Sequence, residues 1–230
     1  MDYIRTVAAS APPLAESDEE EEELDHDWRE REDENEAHEN SILAKARRFL
    51  SRVDETCSKA VVAPKSWRNA LFWIEYSVNG YPWIIGSSLA LVCSVSGQWP
   101  IETQHRLVLL NLGLLLDLFV VTILKMTVQR PRPAYNIDDQ ALEAPIADEY
   151  SFPSGHSSRA VMLATMCAGL FPKYRFVAGA MSLVVALSRV AMGRHYFSDV
   201  IGGVAIGWLQ GIVILSVPHS FTAWVRRILQ

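Results

Sequence analysis

Cysteine is scarce in this 230-residue chain, and its three copies form no pattern. Cys57, Cys93 and Cys167 are widely separated, odd in number and without CxxC spacing. That excludes a disulfide framework and a cysteine-based zinc site, leaving apolar filler or free thiols. No Asn stands in an N-x-Ser/Thr acceptor motif, so no glycosylated exterior is implied. Met1 to Leu14 lacks the apolar stretch of a signal peptide, so none is expected. The most informative absence is charge. Tyr76–Ile101 and Val200–Val225 each run for 26 residues without Asp, Glu, Lys or Arg. A membrane-spanning helix needs about 20 apolar residues, and two such runs argue against a soluble bundle.

The charges that are present are split. The formal net charge of -6 is the sum of -13 in residues 1–40, from 16 acidic and 3 basic side chains, and +7 in residues 41–230. Asp18 to Glu23 is an unbroken carboxylate run. Such a segment cannot bury enough apolar area to offset chain entropy, so 1–40 is expected to be disordered, as an interaction tail or a solvated extension. Residues 41–69 change character. Ser41 is suited to cap a helix, after which Ile42, Leu43, Ala46, Phe49, Leu50, Val53 and Cys57 recur at helical spacing, with Lys45, Arg48 and Arg52 off that stripe. A basic amphipathic helix of this kind either lies in a membrane interface or packs on the rest of the chain. Residues 70–230 read as the membrane-embedded domain, with five spans near 78–97, 106–126, 157–171, 174–193 and 199–217. The expected fold is an all-α, multi-span transmembrane helical bundle with a disordered acidic N-terminal tail.

Five alternating spans place the ends of the second and fourth, and the starts of the third and fifth, on one membrane face. Lys125, Arg132, His156, Arg189, His195 and Asp199 all fall at those ends. Charges inside spans are costly and tend to serve function. Three cations, Lys125, Arg132 and Arg189, call for an anion, and arginine forks match phosphate oxygens in pairs. Pro153-Ser154-Gly155-His156 lies where a loop becomes the third span. Ser154 is suited to cap it, Gly155 permits close backbone approach, and free N–H groups there favour an anion. His195 and Asp199 are four residues apart, a spacing that lets a carboxylate orient an imidazole if they share a helical turn. Together these groups suit phosphoryl transfer. His195 would attack phosphorus and form a phosphohistidine, and His156 would protonate the leaving oxygen and then activate water. Lys and Arg take the charge-neutralising role, so no metal or other cofactor is expected; the acidic loop of Asp138, Asp139, Glu143, Asp148 and Glu149 lacks EF-hand spacing. Asp117, inside the second span, either pairs within the bundle or faces a lipid access path.

Lys125-x6-Arg132-Pro133, Pro153-Ser154-Gly155-His156 and Ser188-Arg189-x5-His195-x3-Asp199 resemble the three-part signature of the type 2 phosphatidic acid phosphatase family, within the superfamily of vanadium-dependent haloperoxidases. The likeness covers about residues 70–217. It implies a magnesium-independent, all-α membrane phosphatase with His195 as nucleophile, Asp199 as its partner and His156 as general acid. Lys125, Arg132, Ser154, Gly155 and Arg189 become the phosphate-binding set. Arg130-Pro-Arg-Pro-Ala-Tyr-Asn136, Tyr150-Ser-Phe-Pro-Ser-Gly-His156 and Leu187-Ser-Arg-Val-Ala-Met-Gly-Arg-His195 are similar to the polyisoprenoid diphosphate phosphatase branch, also called presqualene diphosphate phosphatase. That likeness implies farnesyl, geranylgeranyl and presqualene diphosphates as substrates, in the endoplasmic reticulum and nuclear envelope. Phosphatidate, lysophosphatidate or sphingosine phosphate are the alternative substrates, and a non-enzymatic membrane scaffold is the alternative role. The expected partners are the lipid phosphate or diphosphate and the membrane lipids, with no nucleic acid; the sequence does not give an oligomeric state. Outside the site, ten basic residues lie on the N-terminal face against five on the other, which puts the tail and the site in the cytosol.

Overall fold

The structure, a computed structural model, describes residues 41–137 and 149–229. The acidic tail and most of the acidic loop lie outside the described residues. The chain divides into two compact units, Met1–Arg52 and Val53–Gln230. A first helix, α1, covers 41–60, as its spacing predicts. It is followed by α2 (Arg68–Ser77), α3 (Gly80–Ser96), α4 (Ile101–Val128), α5 (Gly155–Leu170), α6 (Arg175–Ala191), α7 (Phe197–Leu215) and α8 (His219–Ile228). Among the described residues the only strand-like feature is an isolated antiparallel bridge between Pro131 and Tyr150.

Local chemistry sets the helix ends. Asn79 Oδ1 accepts from the Tyr81 N–H at 3.1 Å and starts α3. Gln129, in the left-handed conformation at φ 48°, ends α4 immediately before Arg130-Pro131. Gly193, at φ 73°, turns the chain between α6 and α7, where a side chain would be strained and would crowd Tyr135. The five bundle helices α3–α7 coincide with the five expected spans. Only α4 differs at its start by several residues, because Ile101 follows Pro100 directly and Glu102 and Arg106, paired at 3.1 Å, are part of the helix. Among the described residues four helical stretches are long and apolar enough to cross a membrane: Lys65–Ser96, Ile101–Val128, Pro172–Ala191 and Phe197–Leu215. The fifth, α5, has 16 residues and is the central helix, packed on α4, α6 and α7.

The distribution of polarity is that of a protein in lipid. Ile85, Leu89, Phe119, Phe176, Leu183, Ile201 and Trp208 point outward, while Asp117, Ser158, Arg159 and Gln210 are buried. In hydrocarbon the outer surface gains nothing from being polar, whereas interior polar groups must satisfy one another. Here Ser158 Oγ donates to Asp117 Oδ1 at 2.6 Å and Arg159 Nη2 pairs with Asp117 Oδ2 at 3.0 Å, while the buried Gln210 Nε2 has no hydrogen-bond partner among the described residues. Asp117 is therefore a bundle-interior group. Beneath this network an apolar cluster of Leu109, Leu114, Met162, Met166 and Ile214 joins α4, α5 and α7.

The closest approach in the bundle is between α5 and α7. Gly203, Gly207 and Gly211 form a small-residue stripe along α7. A Cβ on Gly203 would lie 2.6 Å from the Ser154 carbonyl oxygen, one on Gly207 would overlap the Ser158 carbonyl oxygen, and one on Gly211 would lie 2.5 Å from Thr165 Cβ. Backbone cannot give way as a side chain can. Gly207→Ala is therefore expected to destabilise the detergent-solubilised protein by about 3 kcal/mol, the top of the usual overpacking range. Gly86→Ala, with nothing within 4 Å, should be neutral or slightly stabilising. Thermal melting of both variants checks the contrast.

Candidate active site

All eight residues singled out from the sequence lie at one end of the bundle. Lys125 and Arg189 occupy the last turns of α4 and α6. Ser154 caps α5, whose first two residues are Gly155 and His156. His195 lies in the turn before α7, Asp199 in the first turn of α7, and Arg132 in the loop after α4. His195 and Asp199 thus do not share a helical turn. The loop ends are tied together by the Pro131–Tyr150 bridge and by the Ser151 N–H donating to the Arg130 carbonyl at 2.8 Å. The Ser154 N–H donates to the Asp199 carbonyl at 3.0 Å, which joins the start of α5 to the start of α7.

His195 is the centre of the arrangement. It is 2% exposed, and its Nδ1 lies 2.8 Å from the Ser151 carbonyl oxygen. A carbonyl only accepts, so Nδ1 carries the proton and the lone pair is on Nε2. The Asp199 carboxylate stands 3.7 Å from Nδ1. The orienting hydrogen bond thus comes from Ser151, a residue to which the sequence reading gave no role. Asp199 is engaged elsewhere: Oδ2 accepts from the Tyr196 N–H at 2.9 Å, and Oδ1 pairs with Arg130 at 2.7 Å. Burial, and then the charges of Arg189, Arg132 and Lys125, hold the His195 imidazole well below its ordinary value. That favours the neutral imidazole at pH 7. Lys125 Nζ donates to the Tyr150 carbonyl at 2.9 Å, which fixes the ammonium beside the loop.

Two helix N-termini meet here and differ. The start of α7 is saturated: the Phe197 N–H donates to Ser58 Oγ at 2.9 Å and the Ser198 N–H to Asp54 Oδ1 at 3.2 Å. Arg130 joins this cluster through Asp54 at 2.9 Å and Ser198. At α5, Ser154 Oγ accepts from the N–H and the hydroxyl of Ser157, so Gly155 and His156 keep backbone donors with no partner in the helix. That end is suited to an anion. Gly155 packs on Val121, where an added Cβ would come within 3.3 Å, so the expected close approach is to α4. His156 lies within the fields of His195, Arg189, Arg159 and Arg194, and its buried Nε2 has no protein hydrogen-bond partner. Among the described residues no group of three His, Cys, Asp or Glu side chains converges as a metal site.

Arg130, Asp54, Glu75 and Arg194 are further residues of this end that the sequence reading did not single out as site residues. Their partners are distant in the chain, as with Arg130 and Asp54 at 76 residues. Glu75 left a signal as the lone charge between Arg68 and Glu102, and Arg130 and Arg194 lie within the signature segments. Replacing Arg130 with Met would leave Asp199 and Asp54 without their shared cation. The expected loss is about 3 kcal/mol, the lower end for removing one partner of a buried pair, measured as a lowered denaturation midpoint.

The profile of the PAP2 superfamily matches residues 106–223, which include all eight residues singled out from the sequence. The chain is 34% identical over 132 residues to a probable lipid phosphate phosphatase beta of Arabidopsis thaliana, covering 45% of this chain and 62% of that one. It is 28% identical over 176 residues to phosphatidylglycerophosphatase B of Bacillus subtilis (strain 168), covering 70% and 80%. An undecaprenyl-diphosphatase of Sulfolobus acidocaldarius is 29% identical over 156 residues, covering 65% and 69%. Among solved structures, a transmembrane PAP2 type phosphatidylglycerolphosphate phosphatase from Bacillus subtilis superimposes with a TM-score of 0.58 at 22% identity, covering 78% of this chain and 89% of that one. The last likeness supports the fold alone. With half of the chain, including all eight residues singled out from the sequence, matched by the profile, this integral membrane protein belongs to the PAP2 superfamily.

Proposed function

We propose that the protein is a lipid phosphatase that hydrolyses isoprenoid diphosphates, such as farnesyl, geranylgeranyl and presqualene diphosphate, to the monophosphate and then the alcohol, without a metal ion. The observation that carries this reading is the buried, neutral His195, with Nδ1 held by a carbonyl and three cations around it. Its Nε2 attacks the terminal phosphorus while the bond to the leaving oxygen breaks. Lys125, Arg132, Arg189 and the N–H groups at the start of α5 take up the charge on the phosphoryl oxygens. His156 gives the leaving oxygen its proton. It then takes a proton from the water that attacks the phosphohistidine, which releases inorganic phosphate. Asp199 stabilises the charged imidazole through space and anchors the start of α7 through Tyr196.

An apolar cavity of about 880 Å³, lined among others by Val78, Leu107, Leu163, Met166 and Met181, supports a substrate with a long hydrocarbon chain. Its walls include Ala160 and Val185, each one helical turn from His156 and Arg189 respectively. The isoprenoid class is supported by the flanking residues of the three segments and by similarity to an enzyme named for undecaprenyl diphosphate. A second reading, a glycerolipid phosphomonoester as substrate, is favoured by the longer alignment with phosphatidylglycerophosphatase B. The excess of basic residues on the site face supports a cytosolic active site, and the likeness to the polyisoprenoid diphosphate phosphatase branch supports endoplasmic reticulum and nuclear envelope membranes.

Purified protein should release phosphate from farnesyl diphosphate in EDTA. His195→Ala should reduce release to background, and His156→Ala should lower kcat about 10²–10⁴-fold. Higher kcat/KM for phosphatidate than for farnesyl diphosphate would reverse the substrate assignment. The pH profile tests the nucleophile: its acid limb should lie below 6.5, the ordinary imidazole value. Lys125→Met removes a charge that opposes imidazolium, so the limb should move to higher pH.

A further inference from the structure

Glu75 lies on α2, outside the three signature segments, yet its carboxylate reaches the polar end of the bundle. The residue is 6% exposed. Its Oε1 stands 2.9 Å from Arg189 Nη1 and 3.0 Å from Arg194 Nη1. Its Oε2 is buried and has no hydrogen-bond partner in the structure. Arg189 belongs to the cation set around His195, and Arg194 immediately precedes His195 and is fully buried. One carboxylate oxygen thus bridges two buried guanidinium groups at the place where a phosphate would meet Arg189.

Two guanidinium groups converging out of water repel each other and would be costly without an anion between them. Glu75 supplies that anion from within the fold. The same charge lowers the positive potential available to an incoming phosphate. An anion that binds at Arg189 therefore does so beside a fixed negative charge, and the opposition grows with the charge of the anion.

Resting on the reading of this end as a phosphate cradle, we propose that Glu75 is a positioning residue that holds Arg189 and Arg194 in place while restraining the affinity of the site for anions, more strongly for diphosphate than for monophosphate. The restraint gives the site a route to product release: inorganic phosphate leaves a cradle whose cations keep an internal counter-ion.

The test is calorimetric binding of inorganic phosphate and of pyrophosphate to the full-length, detergent-purified chain. A unit charge acting over several ångströms in a partly buried site justifies an expected effect of about tenfold. Glu75→Gln, which keeps the shape and an acceptor oxygen, should bind phosphate about tenfold more tightly and pyrophosphate more tightly still. Arg194→Gln should weaken phosphate by a similar factor, because Glu75 then opposes it with less compensation. The double variant Glu75→Gln/Arg194→Gln restores the original net charge and should return to near wild-type affinity. A purely structural clamp predicts weaker binding in all three variants, and that result would overturn the proposal. So would unchanged affinity in Glu75→Gln. If that variant does not fold, unchanged affinity in Arg194→Gln overturns the proposal equally. A wild-type chain that binds no phosphate overturns it as well. A chain that shows these affinity shifts but hydrolyses no lipid phosphate supports the role of Glu75 and removes the enzymatic reading alone.

Discussion

Backbone contact between α5 and α7 is the constraint on which the rest of the polar end depends. Gly203, Gly207 and Gly211 let α7 lie directly against the carbonyls of Ser154 and Ser158 and against Thr165. In lipid no hydrophobic force drives such an approach, so it relies on dispersion contact and on interior polar groups that close around it. Ser158 does both, lying under Gly207 while its hydroxyl donates to Asp117. The Ser154 N–H bond to the Asp199 carbonyl completes the seam at the end where the histidines stand. Were the two helices held apart by side chains, His156 and His195 would be separated by the same increment.

The second organising fact is that this end gathers many cations out of water and balances them with particular acids. Arg130 is held by Asp199 and Asp54, Arg159 by Asp117, and Arg189 and Arg194 by Glu75. Each pairing keeps a guanidinium in a defined place where an unpaired one would be costly. The acids are unequally placed. Asp54 and Asp199 use much of their bonding capacity on the start of α7, which leaves that helix end unavailable to an anion. The start of α5, capped only by Ser154, keeps its donors. The two neighbouring helix ends therefore differ in the backbone donors they leave for an anion.

The span positions and the three polar segments were legible from the sequence, because both are local. A run without charge is visible in one dimension, and alternation of spans then assigns each helix end to a face. The likeness of the three segments to a known signature pointed to the same end. The glycine stripe of α7 is also written locally, yet its register against Ser154, Ser158 and Thr165 is not. The partner of His195 shows the limit most clearly. The four-residue spacing to Asp199 suggested a shared helical turn, but α7 begins at Phe197, and the hydrogen bond to Nδ1 comes from Ser151, 44 residues earlier.

By itself, then, the sequence determined an all-α membrane body, the order of its spans and the face on which Lys125, Arg132, Ser154, Gly155, His156, Arg189, His195 and Asp199 collect. These follow from hydropathy and spacing, which need no partner. Tertiary structure alone decided which charges neutralise which, that Ser58 and Asp54 close the start of α7, that Asp117 is an interior group and that Glu75 stands between Arg189 and Arg194. Those contacts join residues from about 40 to about 145 positions apart. Their energies depend on geometry and on exclusion of water, and neither exists until the helices have packed.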